Sequence, residues 1–227
     1  MANGIFITGT DTGIGKTIAS CAVMHELAKQ GHKVAGMKPI ASGACLQDGQ
    51  LQNEDALALI QHANISVDYQ QVNPYCFEPA IAPHIAAEQA NVDIDMSIIQ
   101  ESFAELAKQV DWVVVEGVGG WLVPINKKQV VADIALELQL PVILVVGLRL
   151  GCINHALLTM ESMRSKGVNI MGWIANQIAP NLSATDRIIK TLQNKLNSHY
   201  LGFLPYFEKG IYDPGKIIDL KLPKKTD

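Results

Sequence analysis

The sequence is poor in charged residues and has little excess of either sign. Charged residues make up 18% of the 227 residues, and the formal net charge is −4 at pH 7. A nucleic-acid-binding face or a basic membrane-facing surface would need clustered lysine and arginine, and the composition indicates neither. We therefore expect no nucleic-acid and no membrane partner. A small anionic ligand is still compatible, because local geometry rather than net charge decides whether it binds.

Paired cysteines and long apolar runs are also missing. The four cysteines include no C-x-x-C pair, and a chain of this length does not need disulfide staples. The longest apolar run, 138–148, is interrupted by Gln139, Pro141 and Gly147, and it falls well short of the roughly 18 residues of a membrane span. The first predicted strand begins too close to Met1 to leave room for a signal peptide. These features predict reduced thiols and a soluble protein of the cytoplasm.

Short apolar runs alternate with longer mixed segments along the chain. Strands that are apolar on both faces and separated by helices are typical of a parallel sheet covered on both sides. We therefore predict a three-layer α/β/α fold with a mostly parallel sheet. Without an evident linker, repeat or low-complexity segment, residues 1–227 are predicted to form one domain, with a loosely ordered polar tail after Glu208. Strands are predicted at 4–8, 33–37, 111–116, 141–146, 168–175 and 200–203.

Polar residues mark the starts of several predicted helices. Asn53 can cap one helix, and two Ser-x-x-Gln/Asp spacings, at Ser97 and at Ser183, predict capping boxes for two more. The segment 38–52 is predicted to be a loop, and the proline-containing segment 66–83 to be irregular. Further helices are predicted over 16–30, 84–89, 131–138 and 154–166.

The strongest local signal is the segment GTDTGIGKT at 9–17, which follows a predicted strand and opens a helix. Its glycines let successive backbone N–H groups face one concavity, and the helix N-terminus adds positive potential. Lys16 is expected to reach the β- and γ-phosphates of a nucleotide, and the Thr17 hydroxyl to ligate Mg²⁺. The usual motif has glycine where this chain has Thr10, and the glycine comes one residue earlier, at Gly9. A merely glycine-rich turn is disfavoured by the Gly-Lys-Thr sequence and its flanks.

Three further residues are candidates for the same site. Glu116 ends an apolar strand at the edge where ligands bind in open α/β sheets, and the glycine-rich residues 117–120 follow it. A carboxylate there matches the second acidic element of nucleotide sites, which holds Mg²⁺. Asp55 lies in a first helical turn, where aspartate is favoured in any case. Lys38 ends another strand and either stabilises developing negative charge or is simply solvated.

A second anion site is predicted where residues 151–155, GCINH, open a helix. The free N–H groups of a helix start suit a carboxylate, and plain capping by Asn154 is the alternative. His84 and His155 have no other metal-ligand residues beside them in sequence, so structural roles are predicted for both.

Several blocks in order resemble the dethiobiotin synthetases, which are P-loop NTPase-like ligases. The phosphate loop is shared with many proteins, whereas the combination of KPIASG, EGVGGW and LGCINHALLT is far more specific. The resemblance covers about residues 5–207. It rests on GTDTGIGKT, KPIASG, NEDALAL, VNPYCF, APHIAA, VVVEGVGGW, LPVILVVGLRLGCINHALLT and GWIANQ.

The resemblance implies ATP- and Mg²⁺-dependent carboxylation and ring closure of 7,8-diaminononanoate with CO₂. A carbamate and a carbamic–phosphoric anhydride would be the intermediates, and ADP and phosphate the other products. It also implies a homodimer. Carried over residue by residue, Lys38 and Lys16 would be catalytic, and Thr17, Asp55 and Glu116 would hold Mg²⁺.

The same carry-over assigns the binding residues. Ser42 would contact the substrate, and the segment Gly151, Cys152, Ile153, Asn154 would capture its carboxylate across the dimer interface. Gly13 departs from the family, which often has an acidic residue there, and the match fades after Phe207. Nucleotide contacts are expected from Gly13, Ile14, Gly15, Lys16, Thr17, Ile18, Asp55, Glu116, Gly117, Val118, Gly119, Asn176, Gln177, Pro205, Tyr206 and Phe207.

Two other functions are compatible with a phosphate loop on this scaffold. A related amide-forming ligase, such as a cobyrinate-type amidotransferase, would need a glutaminase domain or another ammonia source, for which this chain is expected to be too short. A partition-type switch ATPase carries a signature lysine early in the loop. That position is Asp11 here, which has the opposite charge.

Overall fold

The computed structural model describes residues 3–47, 49–207 and 220–222. Helices and strands alternate through most of the chain. In order they are β1 (Asn3–Gly9), α1 (Lys16–Lys29), β2 (Val34–Met37), β3 (Ile40–Ser42), β4 (Cys45–Gln47), β5 (Gln50–Gln52), α2 (Glu54–His62), α3 (Tyr69–Val72), β6 (Tyr75–Phe77), α4 (Pro83–Gln89), α5 (Met96–Ala107), β7 (Trp112–Glu116), α6 (Val131–Glu137), β8 (Val142–Leu148), α7 (Cys152–Ser165), β9 (Ile170–Gln177), α8 (Thr185–Leu196) and β10 (Tyr200–Leu204).

Six of the strands form one sheet in the order β10-β9-β8-β1-β7-β2, and all neighbouring strands run parallel. The first strand lies centrally, with Ile7 beside Glu116 of β7 and Gly9 beside Val145 of β8. Because parallel strands end at the same edge, the segments that follow β1, β2, β7 and β8 meet there. The predicted mostly parallel α/β sheet is confirmed.

Alternate residues of each strand pack into two separate hydrophobic clusters. In β7, Val113 and Val115 belong to the larger cluster and Val114 to the smaller one. Residues of α4 to α8 contribute to the larger cluster, whereas α1 and α2 contribute to the smaller one. Burial on both faces explains why these strands are continuous apolar runs rather than alternating ones. It also gives the three layers that the sequence predicts.

Helix starts agree with the sequence prediction at one of three positions. Asn53 caps α2, and its side chain accepts hydrogen bonds from two first-turn N–H groups. The two predicted capping boxes are wrong. Asp95 caps α5 and accepts the N–H of Ser97, so Ser97 lies inside the first turn and cannot be the cap. α8 begins after Ala184, which has left-handed backbone and makes no side-chain cap bond, so Ser183 does not cap it.

The predicted loop over 38–52 contains three short strands, and the predicted irregular segment 66–83 contains α3 and β6. Each strand has three residues, too few for alternation to show in the sequence. Strands β3 and β6 pair in parallel, with Ser42 beside Phe77. The Asn73 side chain donates to the carbonyl of Lys38 at 2.7 Å. These contacts fix the chain that leaves β2 at the edge of the sheet.

The predicted loose tail after Glu208 falls on residues that lie outside the described ones, except for 220–222. There Leu220 and Leu222 are buried in the smaller cluster, and the N–H of Lys221 donates to the carbonyl of Leu201 at 2.9 Å. That the whole chain forms one domain stays a prediction. None of the helices in the described part of the chain is both long and apolar enough to span a membrane.

The approach of β9 to the chain entering β10 leaves no room for a side chain at Gly172. An added Cβ would lie 2.6 Å from the carbonyl oxygen of His199. We expect Gly172→Ala to lower the free energy of unfolding by about 1–3 kcal/mol, measured by urea denaturation, because backbone must move to make space. Gly120→Ala is the matched control, since its Cβ would meet nothing closer than 3.7 Å. Equal losses in the two variants would contradict this reason.

Candidate active site

The loop between β1 and α1 has the backbone of an anion site. Gly13 and Gly15 have positive φ angles of 71° and 80°. Gly15 is also the N-terminal cap of α1 and makes no side-chain cap bond. Helix geometry leaves the first N–H groups of α1 without intrahelical acceptors, and the helix dipole favours negative charge at this end. The loop can therefore hold phosphate groups through its backbone.

Ile14 fastens this loop to the sheet. Its side chain is buried against Gly147 of β8, where an added Cβ would lie 2.7 Å from the Ile14 Cβ. The carbonyl of Ile14 accepts a hydrogen bond from the Asn176 side chain at 2.7 Å. Any nucleotide contact from Ile14 must therefore come from its backbone.

Lys16 is held in place by backbone oxygens. Its Nζ donates to the carbonyl of Gly119 at 2.7 Å and to the carbonyl of Asp11 at 3.0 Å. Burial lowers the pKa of Lys16 to about 8, and the positive charge of Lys38 acts in the same direction. The ammonium is thus poorly compensated by the protein, so an anionic ligand would stabilise it.

A second cationic side chain lies between two carboxylates. Lys38 Nζ is 2.6 Å from Glu116 Oε1 and 2.9 Å from Asp55 Oδ2. Lys38 and Glu116 are 3% and 1% exposed, whereas Asp55 is 42% exposed and opens the cluster to solvent. Thr17 Oγ1 lies 2.7 Å from Asp55 and 3.0 Å from Glu116. The first turns of α1 and α2, the residue after β2 and the last residue of β7 thus bring four predicted site residues together.

The ion pairs decide the charge states in this cluster. Burial would lower the pKa of Lys38, but the charges of Glu116 and Asp55 outweigh it and raise that pKa. Burial would raise the pKa of Asp55, yet the charge and hydrogen bond of Lys38 keep it below the usual range. Burial raises the pKa of Glu116, against the opposing charge of Lys38. Lys38 is therefore positively charged at neutral pH.

The donor set at Thr17, Asp55 and Glu116 fits a divalent cation. One hydroxyl hydrogen cannot serve both carboxylates near Thr17, so one close oxygen–oxygen contact is left without a proton. Glu116 Oε2 is buried and has no hydrogen-bond partner among the residues that the structure describes. A hydroxyl and two carboxylates are hard oxygen ligands, which Mg²⁺ prefers.

A cavity of about 670 Å³ opens beside these groups. Ser42 lines it, and the Ser42 hydroxyl is buried without a hydrogen-bond partner in the described part of the chain. One wall is apolar and consists of residues 80–83 together with Val123. Sequence reasoning did not find this wall, because residues 80–83 lie in the predicted irregular segment 66–83, which shows no periodicity. The predicted residues that line the cavity are Gly13, Gly15, Lys16, Thr17, Ile18, Lys38, Ser42, Asp55, Glu116, Val118 and Gly119.

The remaining predicted nucleotide residues lie outside the lining of this cavity. Asn176 sits under the phosphate loop, and the Gln177 side chain donates to the carbonyls of Ala179 and Pro180. The segment Pro205, Tyr206, Phe207 follows β10, whose last residue pairs with Asn176. Gly117 lies behind the ion pairs, where its carbonyl accepts from Lys38 at 3.3 Å. Ile14 is buried, as described above.

The four residues predicted to bind the substrate carboxylate also lie outside the cavity lining of this chain. α7 begins at Cys152 after Gly151, so Asn154 lies inside the helix, and the predicted helix start there is wrong. Cys152 is buried, which leaves only its backbone available, whereas Asn154 is exposed and Ile153 half-buried. The predicted contact across a dimer interface requires a second chain and stays a prediction.

Comparison with known proteins identifies the family. A family model described as "AAA domain" matches residues 3–210. The chain is 45% identical over 206 residues to the ATP-dependent dethiobiotin synthetase BioD of Nitrosospira multiformis, covering 91% of this chain and 89% of that protein. It is 43% identical over 219 residues to the protein of the same name from Aromatoleum aromaticum, covering 96% of each. The chain belongs to the dethiobiotin synthetase family.

Membership of this family confirms the sequence resemblance and makes the protein a ligase. The fold is that of P-loop NTPases. MinD of Aquifex aeolicus superposes with a TM-score of 0.58 at 19% identity, covering 92% of this chain and 84% of that one. MinD of Pyrococcus horikoshii, solved with Mg-ADP, superposes with a TM-score of 0.54 at 18% identity, covering 94% and 83%.

The low pKa of Lys16 has a consequence for stability. Between its folded-state pKa of about 8 and the ordinary value of 10.5, the unfolded chain holds the proton that the folded chain has lost. Stability therefore rises with pH through this window, and the penalty is fully present below it. Without nucleotide, we expect the free energy of unfolding of wild type to rise by about 1 kcal/mol from pH 7 to pH 9, relative to Lys16→Met.

Urea denaturation at the two pH values measures this difference. Lys127→Met, which removes an exposed lysine, should keep the pH dependence of the wild type. Parallel curves for the wild type and Lys16→Met would show that burial does not shift the Lys16 pKa.

Proposed function

We propose that this protein converts 7,8-diaminononanoate, CO₂ and ATP to dethiobiotin, ADP and phosphate, with Mg²⁺ as cofactor. The observation that carries this proposal is the convergence of Lys16 and Thr17 of the phosphate loop with Lys38, Asp55 and Glu116 at one cavity. The relatives named ATP-dependent dethiobiotin synthetase support the choice of reaction.

The covalent steps belong to the substrates. One amine of the diamine adds CO₂ and becomes a carbamate. A carbamate oxygen attacks the γ-phosphorus of ATP, ADP leaves, and a carbamic–phosphoric anhydride forms. The second amine attacks the carbonyl carbon and expels phosphate, which closes the cyclic urea. No nucleophilic side chain is needed, so the protein acts by positioning and by charge stabilisation.

Two lysines supply fixed positive charge. Lys16 and the N–H groups at the start of α1 would hold the phosphates of ATP. Lys38, kept charged by two carboxylates and lining the cavity, would lie beside the carbamate and stabilise the charge that develops during phosphoryl transfer. Its burial makes this contribution larger than it would be in water.

Thr17, Asp55 and Glu116 would hold the Mg²⁺. When bound, the cation would neutralise negative charge on the phosphate oxygens. Support comes from the oxygen donor set and from the unpartnered Glu116 Oε2.

The binding of the other groups follows from what lines the site. The Ser42 hydroxyl and the apolar wall at residues 80–83 would contact the diamine and its alkyl chain. Asn176, whose buried Oδ1 has no partner in the described residues, would accept from the amino group of adenine. Gln177 and the segment 205–207 would complete the adenine site. The start of α7 in a partner chain would receive the substrate carboxylate.

A homodimer is part of this proposal. Leu150 and Leu158, before and on α7, are 101% and 58% exposed. Large apolar side chains near the proposed carboxylate site favour a second copy covering them.

We also propose that the protein works in the cytoplasm, which supplies ATP. Its four cysteines are free, as expected in a reducing compartment.

A switch ATPase on the same fold is disfavoured by the loop itself. Asp11 stands where such switches carry lysine, and it forms an ion pair with Arg149. A related amide-forming ligase would need an ammonia source. Such a ligase would release phosphate from ATP without the diamine, and this distinguishes it from the proposed enzyme.

Lys38→Ala tests the catalytic role. We expect dethiobiotin formation from the diamine, bicarbonate, Mg²⁺ and ATP to fall by about 100-fold or more, measured by mass spectrometry, because the fixed charge beside the carbamate is lost. Lys127→Ala, at an exposed position, should keep full activity, and circular dichroism should show that both variants are folded. Full activity of Lys38→Ala would remove it from the mechanism. Wild-type phosphate release without the diamine would refute the function.

Leu158→Glu tests the homodimer. A charge on an apolar interface is strongly unfavourable, so we expect the variant to sediment as a monomer and to show a raised KM for the diamine. Glu161→Gln, one helical turn further on the exposed side of α7, is the control and should stay dimeric. A wild-type protein that is itself monomeric in analytical ultracentrifugation would overturn this part of the proposal.

A further inference from the structure

An ion pair joins the phosphate loop to the chain entering α7. Arg149, directly after β8, pairs its guanidinium with the carboxylate of Asp11 in the loop after β1. The two strands are neighbours in the sheet, and the N–H of Thr10 donates to the carbonyl of Val145 at 3.2 Å. The ion pair therefore bridges two segments that are separated by 138 residues in the sequence.

Asp11 also shapes the loop through two hydrogen bonds that do not involve Arg149. Its Oδ1 accepts the N–H of Thr12 at 2.8 Å, and its carbonyl accepts from Lys16 Nζ at 3.0 Å. Thr12 and Gly13, the next residues, line the cavity. A carboxylate at this place gives the loop its turn but also puts negative charge beside a site for a polyanion.

Arg149 also belongs to the turn that starts α7. Its carbonyl accepts the N–H of Cys152 at 3.1 Å, and Gly151 between them has a positive φ of 91°. The position of Arg149 and the direction of the first N–H groups of α7 are therefore linked.

We propose that Arg149 is a positioning residue, which neutralises Asp11 beside the bound nucleotide and couples the phosphate loop to the start of α7. The nucleotide part rests on the ATP dependence, and the second part on the carboxylate site, of the function proposed above. Arg149 acts through Asp11 and through the turn, and it forms no bond to the reacting atoms.

Calorimetric binding of Mg-ADP tests the charge effect, because it does not depend on product formation. Arg149→Met should weaken binding by about fivefold, since Asp11 is left uncompensated, and Arg149→Lys should stay within about twofold of the wild type. Asp11→Asn keeps an acceptor for the Thr12 N–H and removes the charge. In the double variant it should restore the lost affinity. Lys166→Met, which breaks the ion pair with Asp133 of α6 at the opposite end of α7, is the matched control.

Steady-state kinetics test the coupling. Arg149→Met should raise the KM for ATP and for the diamine with kcat within about twofold, and Asp11→Asn should rescue the KM for ATP but not that for the diamine. Unchanged Mg-ADP affinity in Arg149→Met, or no rescue in the double variant, would overturn the neutralising role. A fall in kcat at constant KM would overturn positioning. A wild type that binds Mg-ADP but forms no dethiobiotin would refute only the proposed function and the diamine part.

Discussion

The buried ammonium of Lys38 between the carboxylates of Glu116 and Asp55 is the interaction on which the rest of the site depends. Removing a charge from water costs several kcal/mol, so the buried Lys38 and Glu116 are each stabilised by the opposite charge of the other. Lys38 directly follows β2, Glu116 is the last residue of β7, and Asp55 lies in the first turn of α2. Their mutual requirement fixes the ends of these three elements relative to one another.

The parallel sheet explains why this charge collects where it does. The six-stranded sheet packs against a hydrophobic cluster on each face, so ionic groups are tolerated only where its strands end. β7 shows the change within one residue, from the apolar Val115 to the ionic Glu116. Gly117 then follows in close packing, where an added Cβ would lie 3.1 Å from Phe6 and Val131. The apolar core and the position of the ionic site thus both follow from the burial of the sheet on its two faces.

Sequence predicts the parts of this arrangement that are local. The apolar strands, the cap at Asn53 and the phosphate loop each depend on a few consecutive residues. The short pairing of β3 with β6 and the apolar cavity wall depend on contacts between distant segments, which periodicity does not record. The family resemblance predicted Asp55 as a ligand, whereas sequence alone favoured an ordinary first-turn acid. No sequence pattern indicated the pairing of Asp11 with Arg149.

Anion binding by an acidic protein follows from how the charges are partnered. Among the described residues, the site at the edge of the sheet brings together the cationic side chains of Lys16, Lys38 and Arg149 and the anionic ones of Asp11, Asp55 and Glu116. Lys38 and Arg149 are paired with carboxylates, whereas Lys16, among the described residues, donates hydrogen bonds only to backbone oxygens. Attraction for phosphate therefore comes from Lys16 and the start of α1, not from net charge. Burial and the nearby charge of Lys38 lower the pKa of Lys16, and no carboxylate pairs with it directly to offset them, so the loop is electrostatically least satisfied where the proposed ligand would bind.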